Sequence, residues 1–207
     1  MEKREIILIS LAVSFITCLL AANILAVKLI NISMFNAVIS AGIICYPLTF
    51  LLTDTISELY GKKYAGVIVW GGFGCNILLI LFIYIAGILP YPIFWEDQES
   101  FSRILGGVPR IVVASMIAYI VSQNIDVICF HYIKNKTAGK YLWLRNNAST
   151  YLSQSADTLL FVTIAFWGLP MNVLIGMIIT QYIIKLIIAG LDTPFIYGLV
   201  FALKKHV

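Results

Sequence analysis

Residues 64–88 read YAGVIVWGGFGCNILLILFIYIAGI, a stretch of 25 positions without one charged side chain. An apolar run of more than about 18 residues is typical of a transmembrane helix, because a helix rising about 1.5 Å per residue needs about 20 residues to cross the hydrocarbon core. The stretch therefore predicts a membrane-spanning helix, and similar stretches recur from one end of the chain to the other.

Composition extends this prediction to the whole chain. Of the 207 residues, 61% are apolar and 12% are charged, whereas a soluble domain has about 45–50% and about 25%. The mean hydropathy is +0.96, and no segment is polar enough to fold as a separate aqueous domain. We expect an all-α integral membrane protein with a single transmembrane domain over residues 1–207.

Six spans can be drawn at about 6–27, 35–60, 64–88, 109–133, 150–168 and 171–192, which predicts a six-helix bundle. The first apolar run lacks a clear small-x-small cleavage site before Lys28, so we interpret it as a retained helix rather than a signal peptide. Apolar sequence continues after the sixth span to Leu203, and a straight helix to that point would be about 48 Å long. We expect the last helix to be kinked or broken near Gly190 and Pro194, because proline lacks a backbone donor.

The positive charges predict an orientation. With the N-terminus inside, ten Lys and Arg residues fall in cytoplasmic segments and three in outer segments, which is the bias expected of a membrane protein with both termini cytoplasmic. The cytoplasmic residues are Lys3, Arg4, Lys62, Lys63, Lys134, Lys136, Lys140, Arg145, Lys204 and Lys205, and the outer residues are Lys28, Arg103 and Arg110. Because these charges lie between spans, the net charge of +4 does not indicate a nucleic-acid partner.

Several small or aromatic residues are expected to have structural roles. The four cysteines fall singly inside spans without a C-x-x-C pair, so we expect neither a disulfide nor a metal site, and no cofactor. Gly71, Gly72 and Gly74 resemble a helix-packing face more than a phosphate loop, since no Lys-Ser/Thr follows them. Trp95, Trp143 and Trp167 fit anchoring at the membrane interface.

Ionisable residues inside the spans are the informative ones. A charge at a helix centre opposes insertion by about 2.5–3.5 kcal/mol, and such residues normally face a polar cavity or a partner. Four spans accept this penalty, which a bundle needing only stability would have no reason to do. These residues are Asp54, Glu58, Asp126, Asp157, Lys185 and Asp192.

Spans four and five carry the same pattern. The string Ser-Gln-x-x-Asp occurs at 122–126 and again at 153–157, although the composition predicts only about 0.006 occurrences. Residues at i, i+4, i+7 and i+11 line one face of each helix, and they are Tyr119, Gln123, Asp126 and Phe130 in span four and Thr150, Gln154, Asp157 and Phe161 in span five. The two strings run antiparallel, as an inverted repeat would, or they hydrogen-bond across a helix pair and fix its register.

Spans two and six add further polar residues. Asp54, Glu58 and Lys62 are four residues apart, which also fits an interfacial charge ladder. Asp54 is the better functional candidate because it lies deeper, behind a kink expected at residues 46–49. In span six, Gln181 precedes Lys185 by four residues, and Lys185 could neutralise an acid from another span as a structural ion pair.

No catalytic set is visible in the sequence. His131 and His206 lie at a span end and at the C-terminus, and neither H-E-x-x-H nor G-x-S-x-G occurs, so we do not expect an enzyme. Carboxylates, amides and aromatic faces inside a bundle can instead bind a small, flat heterocycle. An ion or metal carrier is the main alternative, and an enzyme acting on lipid head groups is a weaker one.

Several motifs in this order together resemble the queuosine precursor transporter family, also called the vitamin uptake transporter family. The resemblance covers nearly the whole chain. It is carried by ANILAVK at 22–28, YPLTFLLTDTISELYGKK at 46–63, Arg110-x4-Ser115, both Ser-Gln-x-x-Asp strings, LWLRN at 142–146 and Asp192-Thr-Pro194.

The resemblance implies a six-helix importer of 7-deazaguanine bases such as preQ0, preQ1 or queuine, similar in plan to the substrate-binding subunits of energy-coupling-factor transporters. The resemblance also implies the inner membrane of a bacterium. The energy-coupling-factor subunits need a separate ATPase module, whereas members of this family resemble stand-alone carriers. A substrate-binding component for another small vitamin or nucleobase, working with a separate energising module, stays open as an alternative, as does a homo-oligomer. The candidate substrate-binding residues are Asn23, Asp54, Arg110, Ser115, Tyr119, Gln123, Asp126, Gln154, Asp157, Phe161, Lys185 and Asp192. The counted topology places the acids toward the cytoplasmic half, which indicates either an inward-facing gate or a depth that differs by a turn or two.

Overall fold

The computed structural model describes residues 3–32, 37–137 and 142–203. In these ranges the chain forms seven α-helices and a two-stranded sheet of β1 (Leu29–Ile32) and β2 (Ala37–Ser40), followed by a 3-10 helix at Ala41–Cys45. The α-helices are α1 (Lys3–Leu25), α2 (Tyr46–Tyr60), α3 (Lys62–Ile88), α4 (Gln98–Leu105), α5 (Val108–Lys136), α6 (Leu142–Ala165) and α7 (Met171–Leu203). Several side chains considered above lie outside the described residues, namely those of Lys134, Lys140, Trp143, Arg145, Gly190, Asp192, Pro194, Lys204, Lys205 and His206.

Four segments of the described chain are long and apolar enough to cross a membrane. They are Lys3–Leu25, Lys62–Ile88, Gln98–Ile133 and Met171–Ile188. Only 11–28% of the most apolar window in each is buried inside the protein, so most of their large apolar side chains point outward, where lipid would cover them. The protein is therefore an all-α integral membrane protein, as the composition predicted.

The prediction of a membrane-spanning helix over 35–60 is wrong for residues 37–45. Residues 37–40 form β2, residues 41–45 form the 3-10 helix, and α2 occupies only the last 15 residues, with Pro47 in its first turn. Ser40 caps the 3-10 helix, since its Oγ accepts from the Gly42 N–H at 3.2 Å and donates to the Ala26 carbonyl at 3.3 Å. This segment passes so close to α1 that a Cβ on Gly42 would lie 2.6 Å from the Ala22 carbonyl oxygen.

The break predicted in the last helix near Gly190 and Pro194 is wrong, while the kink stays a prediction. The α7 helix is continuous through Gly190 and Pro194 to Leu203, a length of 33 residues. Proline removes one backbone hydrogen bond, but no water competes for the remaining ones in a membrane, so a helix continues past a proline more readily there than in a soluble protein.

The chain divides into two compact units, and the first contains Met1–Ile30, Ser40–Pro109 and Ile187–Val207. Its apolar core joins α1, α2 and α3 through Leu11, Ile56 and Ala65. Gly72 of α3 packs against α1, because a Cβ there would meet Leu19 Cδ2 at 2.8 Å. Gly71 and Gly74 have open space around them, so only one of the three glycines predicted to pack does so closely.

The second unit contains Asn31–Ile39 and Arg110–Leu186. Its part of α7 has a buried face of Leu174, Met177, Gln181 and Lys185, spaced three and four residues apart. The first two of these side chains are apolar and the last two are polar. The interior of this unit therefore changes from apolar to polar along α7, and the polar part holds the candidate site.

Candidate functional site

An ion pair joins α6 and α7 in the polar part of the second unit. Lys185 Nζ lies 2.6 Å from Asp157 Oδ2, and the two side chains are 3% and 14% exposed. A charge-assisted bond of this length is strong, but most of its energy compensates for taking both charges out of water. The contact confirms that Lys185 pairs with an acid from another helix.

Two glutamines near this pair each have one buried amide atom without a hydrogen-bond partner in the described part of the chain. Gln154 precedes Asp157 by three residues on α6, and its Oε1 is buried and unpaired. Gln181 precedes Lys185 by four residues on α7, is 3% exposed, and its Nε2 is unpaired. Each unpaired buried group destabilises a fold by about 1–3 kcal/mol. One acceptor and one donor are thus left for a bound molecule to satisfy.

The repeated Ser-Gln-x-x-Asp strings have the same local geometry at their serines. Ser122 Oγ donates to the Tyr119 carbonyl and Ser153 Oγ to the Thr150 carbonyl, each at 3.0 Å, and both serines are 7% exposed. Ser153 Oγ also lies 3.5 Å from Asp126 Oδ1. The two strings therefore meet across the α5–α6 pair, although their glutamines differ, since Gln123 is exposed and Gln154 is half-buried.

Asp126 is close to the ion pair through this contact. Ser153 lies one turn before Asp157 on the same face of α6, and Asp126 of α5 approaches Ser153. The second unit thus gathers two carboxylates, one ammonium and two unpaired amide atoms from three helices. A carboxylate accepts hydrogen bonds and an amide either donates or accepts, so this polar cluster can bind a molecule that has both N–H groups and a carbonyl oxygen.

Arg110 is a candidate binding residue with a structural contact that the sequence did not reveal. Its Nε donates to the Ile164 carbonyl and its Nη2 to the Trp167 carbonyl, both at 2.7 Å. These carbonyls lie at the C-terminal end of α6, where backbone acceptors lack helical partners and the helix dipole favours a cation. Arg110 therefore fastens the start of α5 to the end of α6.

The remaining candidate binding residues of the second unit have partly exposed side chains. Ser115, Tyr119 and Phe161 are half-buried. The Phe161 ring packs edge-to-face against Phe166, with centroids 6.0 Å apart. These side chains leave aromatic faces on α5 and α6, the helices that carry both repeated strings.

Asn23 and Asp54 belong to the first unit. Asn23 is buried and its Nδ2 donates to Asn76 Oδ1 at 2.8 Å, while Asn76 Nδ2 donates to the Gly72 carbonyl at 3.0 Å. Asn76 is fully buried and was missed, although a single amide in the uncharged stretch 64–88 was a signal that could have indicated it. Asp54 is exposed, as are Glu58 and Lys62, which favours the charge ladder for this face of α2.

No group of three or more His, Cys, Asp or Glu side chains suited to a metal ion occurs among the described residues. The four cysteines are free and half-buried.

Comparison with known proteins gives a consistent set of relatives. Residues 40–199 match the family described as "Putative vitamin uptake transporter". The chain is 33% identical over 181 residues to the "Probable queuosine precursor transporter" of Bacillus subtilis (strain 168), an alignment that covers 86% of this chain and 77% of the relative.

Two further relatives match over shorter regions. The chain is 32% identical over 129 residues to the "Queuosine precursor transporter" of Escherichia coli (strain K12), covering 62% of this chain and 56% of that protein. It is 29% identical over 126 residues to a "Probable queuosine precursor transporter" of Haemophilus influenzae, covering 61% of this chain and 51% of that protein. No solved structure matches the chain with comparable significance.

Proposed function

Because the chain belongs to the vitamin uptake transporter family, we propose that it imports a queuosine precursor across the cytoplasmic membrane of a bacterium. The substrate is a 7-deazaguanine base such as preQ0, preQ1 or queuine. Three relatives bear the name queuosine precursor transporter, and four apolar segments of this chain are able to span a membrane. The excess of Lys and Arg in the cytoplasmic segments supports an orientation with both termini inside.

The observation that carries the binding site is the pair of unpaired amide atoms beside a buried ion pair. Gln154 Oε1 and Gln181 Nε2 have no partner in the described chain, and Asp157 and Lys185 lie one turn away on the same helices. Buried polar groups in native proteins are nearly all hydrogen-bonded. A substrate that supplies one donor and one acceptor would complete this cluster.

A 7-deazaguanine base has the matching edge. Its N1–H and exocyclic amine are two adjacent donors, which a carboxylate such as that of Asp157 or Asp126 accepts in parallel. Its O6 accepts a hydrogen bond, and Gln181 Nε2 is the unpaired donor of the cluster, while Gln154 Oε1 accepts from a remaining N–H. The rings of Tyr119 and Phe161 can stack on the flat base.

Two other candidate residues, Arg110 and Asn23, fit structural roles rather than contact with the substrate. Arg110 positions the end of α6 through two carbonyl contacts, and Asn23 ties α1 to α3 through Asn76. The chain carries no Walker A motif of its own, so it does not hydrolyse ATP by that route. The family resemblance favours a stand-alone carrier, with a separate energising module as the alternative. A homo-oligomer is compatible with either.

A ligand panel tests the proposed function. The full chain is purified in lipid nanodiscs, and its thermal stability is measured with preQ0, preQ1, queuine, guanine, vitamins and divalent metal ions. We expect stabilisation by the deazaguanines and none by metals, since a ligand that binds only the folded state at about 100 times its Kd adds about 2.7 kcal/mol. Stabilisation by metals alone would favour the ion-carrier alternative and contradict the proposal.

A further inference from the structure

The ammonium of Lys185 occupies the position that a substrate needs. It contacts Asp157 Oδ2 at 2.6 Å, and an N–H donor of a heterocycle would approach the same carboxylate along the same line. We propose that Lys185 is a tethered competitor, which holds Asp157 in the empty transporter and leaves when the substrate binds. This inference rests on the proposed function, because it concerns the site at which the deazaguanine binds.

Two buried amide atoms beside the ion pair lack hydrogen-bond partners among the described residues. An ion pair that served only stability would not need such unpaired neighbours. A buried ion pair stabilises a fold only when the polar groups around it are also satisfied. Here one neighbour on α6, Gln154, keeps an unpaired acceptor, and one neighbour on α7, Gln181, keeps an unpaired donor. The cluster therefore has the form of a binding site that its own lysine fills in part.

The chemistry of lysine suits temporary occupancy. Its ammonium is a single compact charge on a flexible four-carbon chain, so it can leave a carboxylate without any backbone movement. An arginine would hold the carboxylate with two parallel bonds and would be harder to displace. Lysine is thus the cation that can be exchanged for an incoming edge of two N–H donors.

A second carboxylate contacts α6 one turn before Asp157. Asp126 Oδ1 is 3.5 Å from Ser153 Oγ, and Ser153 is one turn from Asp157 on α6. In this proposal Lys185 moves toward Asp126 while the substrate takes Asp157, because a displaced ammonium without a carboxylate partner would be costly in a low-dielectric interior. The two Ser-Gln-x-x-Asp strings then supply one acid for the substrate and one for the lysine.

This arrangement predicts the sign of the effect of each substitution at Lys185. When only a fraction of the protein has a free site, the apparent Kd equals the intrinsic Kd divided by that fraction. Lys185→Met removes the competitor, and we expect it to bind preQ0 about tenfold more tightly. Lys185→Arg holds Asp157 more firmly, and we expect it to bind preQ0 about tenfold more weakly.

The experiment measures preQ0 affinity by isothermal titration calorimetry on the full chain in nanodiscs. Wild type, Lys185→Met and Lys185→Arg are compared with Lys136→Met, which removes an exposed lysine at the end of α5. We expect the affinity of the Lys136→Met control to equal that of wild type. Each variant is checked for folding by size-exclusion chromatography, and if Lys185→Met does not fold, Lys185→Gln replaces it as the variant without an ammonium.

The outcomes separate the roles of Lys185. Tighter binding by Lys185→Met supports the competitor, and weaker binding by Lys185→Arg is expected alongside it. Weaker binding by Lys185→Met would mean that the lysine contacts the substrate, and unchanged affinity in both variants would mean that the pair is structural, and either result overturns this inference alone. Failure of wild type to bind any deazaguanine would instead overturn the proposed function.

Discussion

Arg110 donates a hydrogen bond of 2.7 Å from Nη2 to the carbonyl oxygen of Trp167. A second bond of 2.7 Å runs from its Nε to Ile164, so one guanidinium at the start of α5 holds two carbonyls at the end of α6. Arg110 therefore links α5 to α6, and both helices carry residues of the polar cluster.

Arg110→Lys should lower stability without changing binding. An ammonium can reach only one of the two carbonyls, and a lost bond from a charged donor destabilises by about 1.5–3 kcal/mol. Thermal unfolding in nanodiscs measures the loss, and Arg103→Lys is the control, because Arg103 is exposed and its contact with Glu99 is 3.9 Å long. A weakened preQ0 affinity at normal stability would show instead that Arg110 contacts the substrate.

Gln181→Met should have opposite effects on stability and on binding. It removes the buried amide nitrogen Nε2, which has no hydrogen-bond partner among the described residues. The free energy of unfolding of the empty protein should therefore rise by about 1 kcal/mol. It also removes the donor proposed for O6, which should weaken preQ0 binding about tenfold.

Gln154→Met should also raise the free energy of unfolding and weaken preQ0 binding, because Gln154 Oε1 is the unpaired acceptor. The matched control is Gln123→Met, at the equivalent position of the other repeated string, where the side chain is exposed. If Gln154→Met and Gln123→Met gave equal affinities and equal melting temperatures, the amides would have no part in binding.

Gly72→Val should disrupt the packing of α1 on α3. A Cβ at this position would lie 2.8 Å from Leu19 Cδ2 and 3.4 Å from Phe15 Cε1, and overpacking of this kind destabilises by about 1–3 kcal/mol. Gly74→Val is the control, since a Cβ there meets nothing within 4 Å. Equal unfolding temperatures of the two variants would contradict this close approach.

Asn23→Ala should act on stability through Asn76. It leaves the buried Asn76 Oδ1 without its donor, which should destabilise by about 1–3 kcal/mol. Because the amide nitrogen of Asn23 is already bonded to Asn76, we expect the preQ0 affinity of the folded variant to equal that of wild type. A normal melting temperature together with lost affinity would place Asn23 in contact with the substrate.

Much of the fold followed from the sequence because lipid imposes a simple rule on apolar length. Residues 64–88 were predicted as a span and α3 covers Lys62–Ile88. The rule failed at 35–60, because a short apolar run does not distinguish a strand from a helix, and residues 37–40 form β2. At Pro194 the predicted break does not occur, because the loss of one backbone donor does not end α7.

The candidate site was predictable where a sequence motif occurs twice. It was less predictable where a side chain bonds to backbone carbonyl oxygens. Matching offsets identified both strings, and Ser153 of one does approach Asp126 of the other. Periodicity also placed Gln181 and Lys185 on one face of α7. The contacts of Arg110 could not be foreseen, since its partners are carbonyl oxygens, which every residue has.

The central claim is that an intramembrane carboxylate of the polar cluster accepts the donor edge of a 7-deazaguanine. The most direct test is calorimetric titration of preQ0 into wild type, Asp126→Asn and Asp157→Asn, each as the full chain in nanodiscs. We predict one preQ0 per chain for wild type and an affinity at least about tenfold weaker for Asp157→Asn, because an amide cannot accept two parallel N–H bonds. Affinities equal to that of wild type in both variants would contradict the claim.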